Sequence, residues 1–99
     1  MYVNIQSVGF TADVKLEDFV RNKIGKLFKV NDHITGVEVF LRLDKSDIRE
    51  NKVVEVNIDI PGNPIFAKKQ SKSFEESVDM VAGVLHRQIV KYKEKLRSK

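Results

Sequence analysis

The sequence predicts an α+β fold, a two-layer β-α-β-β-β-α sandwich in which one mainly antiparallel four-stranded sheet carries two helices on one face. Three observations predict it. Short segments at the start and middle of the 99-residue chain alternate apolar and polar residues at the period of a strand. Two longer segments repeat apolar residues every three to four positions, each making a single stripe that must be buried. Turn signals separate these segments, with no linker, repeat or low-complexity tract between them. The length suits a single domain spanning residues 1–99 with one core.

Residues Tyr2 to Val8 alternate, with Val3 and Ile5 on one face and Asn4 and Gln6 on the other, and Gly9 closes this first strand. Thr11 or Asp13 then caps a helix from about Val14 to Lys29, because a short side-chain oxygen there accepts from free amides of the first turn. Leu16, Phe19, Val20, Ile24, Leu27 and Phe28 form its apolar stripe. Lys15, Lys26 and Lys29 fall opposite the stripe, and Arg21 and Lys23 flank it from either edge. After the turn-like Asn31-Asp32-His33, Gly36 to Asp44 alternates again, with Val37, Val39, Leu41 and Leu43 inward and Glu38, Phe40 and Arg42 outward. Lys45 to Lys52 reads as a hairpin loop. Val54, Val56, Ile58 and Ile60 then face inward, with Val53, Glu55, Asn57 and Asp59 on the polar side. Pro61-Gly62-Asn63-Pro64 makes a turn into a short strand, Ile65 to Lys69, that completes an antiparallel meander. Ser73 and Glu76 match a capping box and open a helix to about Arg97. Its stripe is Phe74, Val78, Val81, Leu85, Ile89, Tyr92 and Leu96, and Gly83 interrupts it, a residue that would permit close packing.

Composition narrows the function classes. No apolar run reaches the length of a membrane span, and the alternating N-terminus does not resemble a signal peptide, so a cytoplasmic location is expected. Without cysteine there is no disulfide framework, thiolate nucleophile or cysteine metal site. His33 in a polar turn and His86 on a helix face have no nucleophile or metal-ligand signature around them, and they read as surface histidines. Asp13, Asp44, Asp47 and Asp59 sit at turns or on polar strand faces, as solvated acids do. No phosphate-cradling glycine loop or hydrolase motif is present. The expectation is a protein without catalytic residues, cofactor, metal or small-molecule substrate.

The net charge of +4 is unevenly distributed. Arg87 to Lys99 holds six basic residues against Glu94 alone, whereas the rest of the chain has a net charge of −1. Basic groups at a helix C-terminus complement its dipole, each by about 0.3–1 kcal/mol, which accounts for one or two of them. It does not account for six in thirteen positions. Arg87, Lys91 and Lys95 form a row at i, i+4, i+8 that spans roughly 12 Å along the helix, enough to meet successive phosphates of a nucleic acid. Lys93 and Arg97 form a shorter second row. With the helices side by side, Lys15, Arg21, Lys26 and Lys29 are expected to join the Arg87 row in one field. Phe40 and Phe66 alternate outward with Arg42 and Lys68, either as a stacking platform for bases or as ordinary cross-strand packing or a protein contact.

Taken together, FVRNKIGKL (Phe19 to Leu27), VVEVNIDIPG (Val53 to Gly62), IFAKKQS, SFEESVDMV (Ser73 to Val81) and LHRQIVKYKEKLR (Leu85 to Arg97) resemble the ribosome hibernation factors of the short type. This family is also called ribosome-associated inhibitors or sigma-54 modulation proteins, and the resemblance covers essentially the whole domain. It implies a double-stranded-RNA-binding-like fold that occupies the decoding channel of the small ribosomal subunit, contacts ribosomal RNA and blocks the messenger and transfer RNA sites in idle, stationary-phase or stressed cells. On that resemblance, the RNA-binding positions are Lys23, Lys26, Arg87, Lys91, Lys93 and Lys95. Lys15, Arg21, Lys29, Phe40, Arg42, Phe66, Lys68 and Arg97 are possible further contacts to RNA or protein. The family often opens the last helix with Asp-Met-Tyr, where this chain has Ser73-Phe74-Glu75, and often has a basic residue at the place of Val84, so those contacts have no counterpart here. The C-terminal dimerisation domain of long members is not expected, and the chain is expected to be monomeric off the ribosome. Pairing of ribosomes and silencing of single ones both remain open. A sigma-factor-type adapter that binds through the open sheet face is the alternative function.

Overall fold

The computed structural model describes residues 3–29, 33–44 and 49–97, with side chains in the last helix described as far as Glu94. Tyr2, the Asn31-Asp32 part of the expected turn, loop positions 45–48 with Asp47, the side chains of Lys95, Leu96 and Arg97, and the chain end lie outside the described residues. The elements run β1 (Val3–Val8), α1 (Val14–Gly25), a 3-10 turn (Lys26–Lys29), β2 (Gly36–Leu43), β3 (Lys52–Asp59), β4 (Ile65–Ser71) and α2 (Phe74–Arg97).

The four strands form one sheet in the order β1-β2-β3-β4. β1 is parallel to β2, with Val3 beside Val37 and Val8 beside Arg42. The β2–β3 and β3–β4 pairs are antiparallel, pairing Val39 with Val56 and Val56 with Ala67. The parallel pair follows from α1, which fills the crossover that brings the chain back to start β2 at the same end as β1. By the same count β4 runs parallel to β1, so both helices start at one end of the sheet and run down it side by side.

Local chemistry sets the helix starts. Asp13 caps α1, its carboxylate accepting from the Leu16 amide at 2.8 Å. The Ser73 hydroxyl accepts from the Glu76 amide at 3.1 Å and opens α2. Here α1 is shorter than its apolar repeat suggests: it ends at Gly25 and tightens into the 3-10 turn, which still buries Leu27. The β1–α1 loop is pinned by Phe10, whose ring stacks on Phe74 at the start of α2 with centroids 4.9 Å apart. Ser77, fully buried, donates to the Lys52 carbonyl at 2.8 Å, and Ser71 donates to the Ser73 carbonyl at 2.9 Å. The two hydroxyl oxygens are 2.7 Å apart, so two protons are shared among three contacts that tie the first turn of α2 to β3 and β4.

One core lies between the layers. Val20, Ile24 and Leu27 meet Val37, Val39, Leu41, Val54, Val56 and Ile58 from the sheet, and Val78, Val81, Leu85 and Ile89 from α2. Full burial of each such aliphatic side chain is worth about 1.5–3 kcal/mol. The stripes end in half-buried Leu16, Phe19, Phe28 and Tyr92. Two expectations need correction. Val53 points to the open face yet is 4% exposed. In register it stands between Arg42 and Gln70, whose long side chains both make polar contacts. Arg42 pairs with Glu55, and Gln70 donates to the Asp44 carboxylate at 3.1 Å and to the Glu50 carbonyl at 2.6 Å. Gly83 does not serve close packing: it is exposed, and a Cβ built there meets nothing within 4 Å.

Candidate nucleic-acid interface

The helices divide the molecule by charge. Asp13, Glu17, Asp18, Glu75, Glu76 and Asp79 lie in the first turns of the two parallel helices, at one end of the domain. Lys26 and Lys29 follow α1, and Arg87, Lys91, Lys93 and Lys95 occupy the second half of α2, at the other end. Helix dipoles reinforce this pattern, since acids stabilise the N-terminal turns and bases the C-terminal ones. α2, with 24 residues, is about 36 Å long, against about 26 Å for an eight-residue strand. α2 runs on for eight residues past Ile89, its last fully buried residue among those described, so its basic end extends beyond the core, in a molecule of 49 × 23 × 18 Å.

The two basic rows point to different sides. Lys23 of α1 bridges to Asp79 at 3.1 Å, which marks the flank of α2 that faces α1. At about 100° per residue, Lys93 lies about 40° from Asp79 and position 97 lies in line with it. Arg87 and Lys91 are turned about 80° and 120° away, over the outward side and the opposite flank. Both are exposed. The basic groups next to α1 thus belong with the Lys93 row, and the expectation that they extend the Arg87 row is corrected by the azimuth of α2 in the packed pair. Lys26 and Lys29 are exposed beside that flank, while Lys15 stands exposed at the other end of α1.

Two basic residues of α1 are already engaged. Lys23, besides its bridge to Asp79, lies 5.8 Å over the Phe19 ring. Arg21 donates from Nη1 to the Val3 carbonyl at 2.7 Å and caps β1, an edge strand. The sequence predicted that these two flank the stripe on opposite edges, and they do. Their partners were not evident, although Asp79 is one of the acids, with Glu75, that the helical repeat puts on the α1 side of α2.

The open sheet face differs from the α2 end. Its register rows are Asn4-Glu38-Asn57-Phe66, Gln6-Phe40-Glu55-Lys68 and Val8-Arg42-Val53-Gln70. Phe40 and Phe66 sit on β2 and β4 with β3 between them and one row apart, so they do not form a cross-strand pair with each other. Phe66 is 53% exposed and Phe40 half-buried. The face mixes Glu38 and Glu55 with Arg42 and Lys68, and Glu55 is paired with Arg42. On α2, His86, Arg87, Val90, Lys91 and Glu94 line a shallow open depression of about 380 Å³, formed by one helix and walled by no second element. No helix among the described residues is long and apolar enough to cross a membrane.

A two-layer domain with a wet, mixed-charge sheet face and one basic helix end defines a class of binding domain that offers charged surfaces rather than an enclosed pocket. That class has a family. The model described as Sigma 54 modulation protein / S30EA ribosomal protein matches residues 3–97. The chain belongs to that family. It is 31% identical over 98 residues to the ribosome hibernation promoting factor of Pseudomonas putida, covering 99% of this chain and 92% of that protein. A ribosomal subunit interface protein from Coxiella burnetii has the same fold, with a TM-score of 0.81 at 24% identity over 95% of this chain and 99% of that one. The N-terminal domain of Thermus thermophilus Protein Y superposes with a TM-score of 0.75 at 18% identity, covering 92% and 94%. The family is one of ribosome-binding hibernation factors and not of enzymes.

Proposed function

We propose that this protein is a ribosome hibernation factor whose α2 end binds ribosomal RNA in the decoding channel of the small subunit and blocks the messenger and transfer RNA sites by occupancy. The observation that carries this reading is the segregation of charge onto a projecting helix end. Arg87 and Lys91 are exposed on one side of α2, Lys93 stands on the other, and Lys26 and Lys29 lie beside it. A helix that is basic on both flanks neutralises phosphates on two walls at once, which suits a narrow RNA-lined channel better than a flat surface. The acidic ends of both helices repel phosphate, so the domain enters with its helix C-termini first. The fold, with two parallel helices on one face of a sheet, supports a use like that of double-stranded-RNA-binding domains. The names of the family relatives support the ribosome as partner.

Charge reversal at Arg87, Lys91 and Lys95 tests the reading: the variant is expected to lose co-sedimentation with ribosomes, and unchanged co-sedimentation would overturn it. A second reading, an adapter for a protein such as a sigma factor, is favoured by Phe66 and Val8, which are 53% and 46% exposed on the open face. It requires binding that resists salt and is lost on changing Phe66.

A further inference from the structure

Gly83 is anomalous for the fold that contains it. It lies at the middle of α2, and at about 100° per residue it stands about 160° from the centre of the buried stripe, on the line of the helix farthest from the core. It is exposed, its backbone is not in the left-handed region, and a Cβ at its position meets open space. Neither packing nor dihedral geometry calls for glycine there, and alanine would favour the helix. What glycine uniquely permits at such a point is close approach by another molecule's backbone.

The surroundings fit one kind of visitor. On the same outward side of the helix, Met80 precedes Gly83 and is 40% exposed. Arg87, Val90 and Lys91 follow it, lining the shallow depression with Glu94 and His86. Apolar groups alternating with cations match a sugar-phosphate chain, whose ribose carbons pack and whose phosphates pair. Resting on the RNA-binding reading above, we propose that an RNA backbone crosses α2 at Gly83, with a ribose or phosphate seated against the bare helix backbone and the next phosphates led along the depression to Arg87 and Lys91. The mid-helix amides are already bonded within the helix, so the contact at Gly83 is packing and Cα–H···O in kind, with specificity in shape rather than in hydrogen bonds. The added methyl of an alanine would fill that seat.

The experiment sets stability against binding. Gly83→Ala is expected to raise the Tm by about 4–8 °C, from the helix preference alone. The same variant should bind purified ribosomes about ten-fold more weakly in co-sedimentation titrations, as an added methylene does in a close-packed interface, and Gly83→Leu more weakly still. A more stable Gly83→Ala that binds as tightly as the parent overturns the inference while charge reversal at Arg87, Lys91 and Lys95 still tests the RNA reading separately. A lower Tm would equally overturn it, because glycine would then have a structural use at that position.

Discussion

The Lys23–Asp79 bridge sets an acid of the protein against the RNA phosphate that Lys23 is proposed to bind. Replacing Asp79 with asparagine keeps the shape and removes the charge. The two side chains are 40% and 54% exposed, so the pair is a surface salt bridge worth about 0–1 kcal/mol, and the variant should unfold within a few degrees of the parent. Binding should respond in the opposite sense. Lys23 and Asp79 are 3.1 Å apart, so a phosphate that takes Lys23 comes to rest about 5 Å from the Asp79 carboxylate. At the dielectric of water that repulsion is about 0.8 kcal/mol, and a Debye length of about 8 Å at physiological salt cuts it to about 0.4 kcal/mol. Asp79→Asn is therefore expected to tighten ribosome binding about two-fold at physiological salt and about four-fold at low salt. Titrations at several salt concentrations, with a Lys23→Gln variant in parallel, measure this. If Lys23→Gln weakens binding but Asp79→Asn leaves affinity and its salt dependence unchanged, Asp79 does not compete with RNA and the reasoning is refuted.

Two further predictions follow from positions already described. Leu85 is fully buried between α2 and the sheet, and Leu85→Ala should cost about 2–5 kcal/mol in urea unfolding; a loss below 1 kcal/mol would mean that α2 does not pack as described. Arg21 caps the Val3 carbonyl, so Arg21→Gln should lower stability by about 1 kcal/mol and leave the salt dependence of ribosome binding intact; a flatter dependence would show that Arg21 meets phosphate instead.

Much of the fold was legible because local signals agreed. Asp13 and the Ser73–Glu76 pair mark the helix starts that the structure adopts, and the alternation of β2 to β4 marks the faces that meet the core. What escaped depends on contacts between distant residues. Val53 is buried in register between Arg42 and Gln70 of the two neighbouring strands, a placement that alternation alone does not reveal. The stacking of Phe10 on Phe74 joins a loop to a helix start 64 positions away in the chain. At the candidate site, the spacing of Arg87, Lys91 and Lys93 separates two rows, but the flank each row occupies depends on how α2 is rotated against α1. That rotation is fixed by the core and is marked by the Lys23–Asp79 bridge. Gly83 reads as a packing glycine in one dimension and proves to be an exposed one in three.

The central claim is that the basic end of α2 holds ribosomal RNA through its phosphates, and salt-dependent co-sedimentation with ribosomes tests it most directly. With Lys23, Lys26, Arg87, Lys91, Lys93 and Lys95 each meeting one phosphate, affinity should fall about 300- to 2,000-fold between 50 and 200 mM salt, and reversing Arg87, Lys91 and Lys95 should flatten the slope by about 2 to 3. Changing Phe66 on the open face should leave both unchanged. Binding that is indifferent to salt, survives the triple reversal and is lost with Phe66 would contradict the claim and move the interface to the sheet.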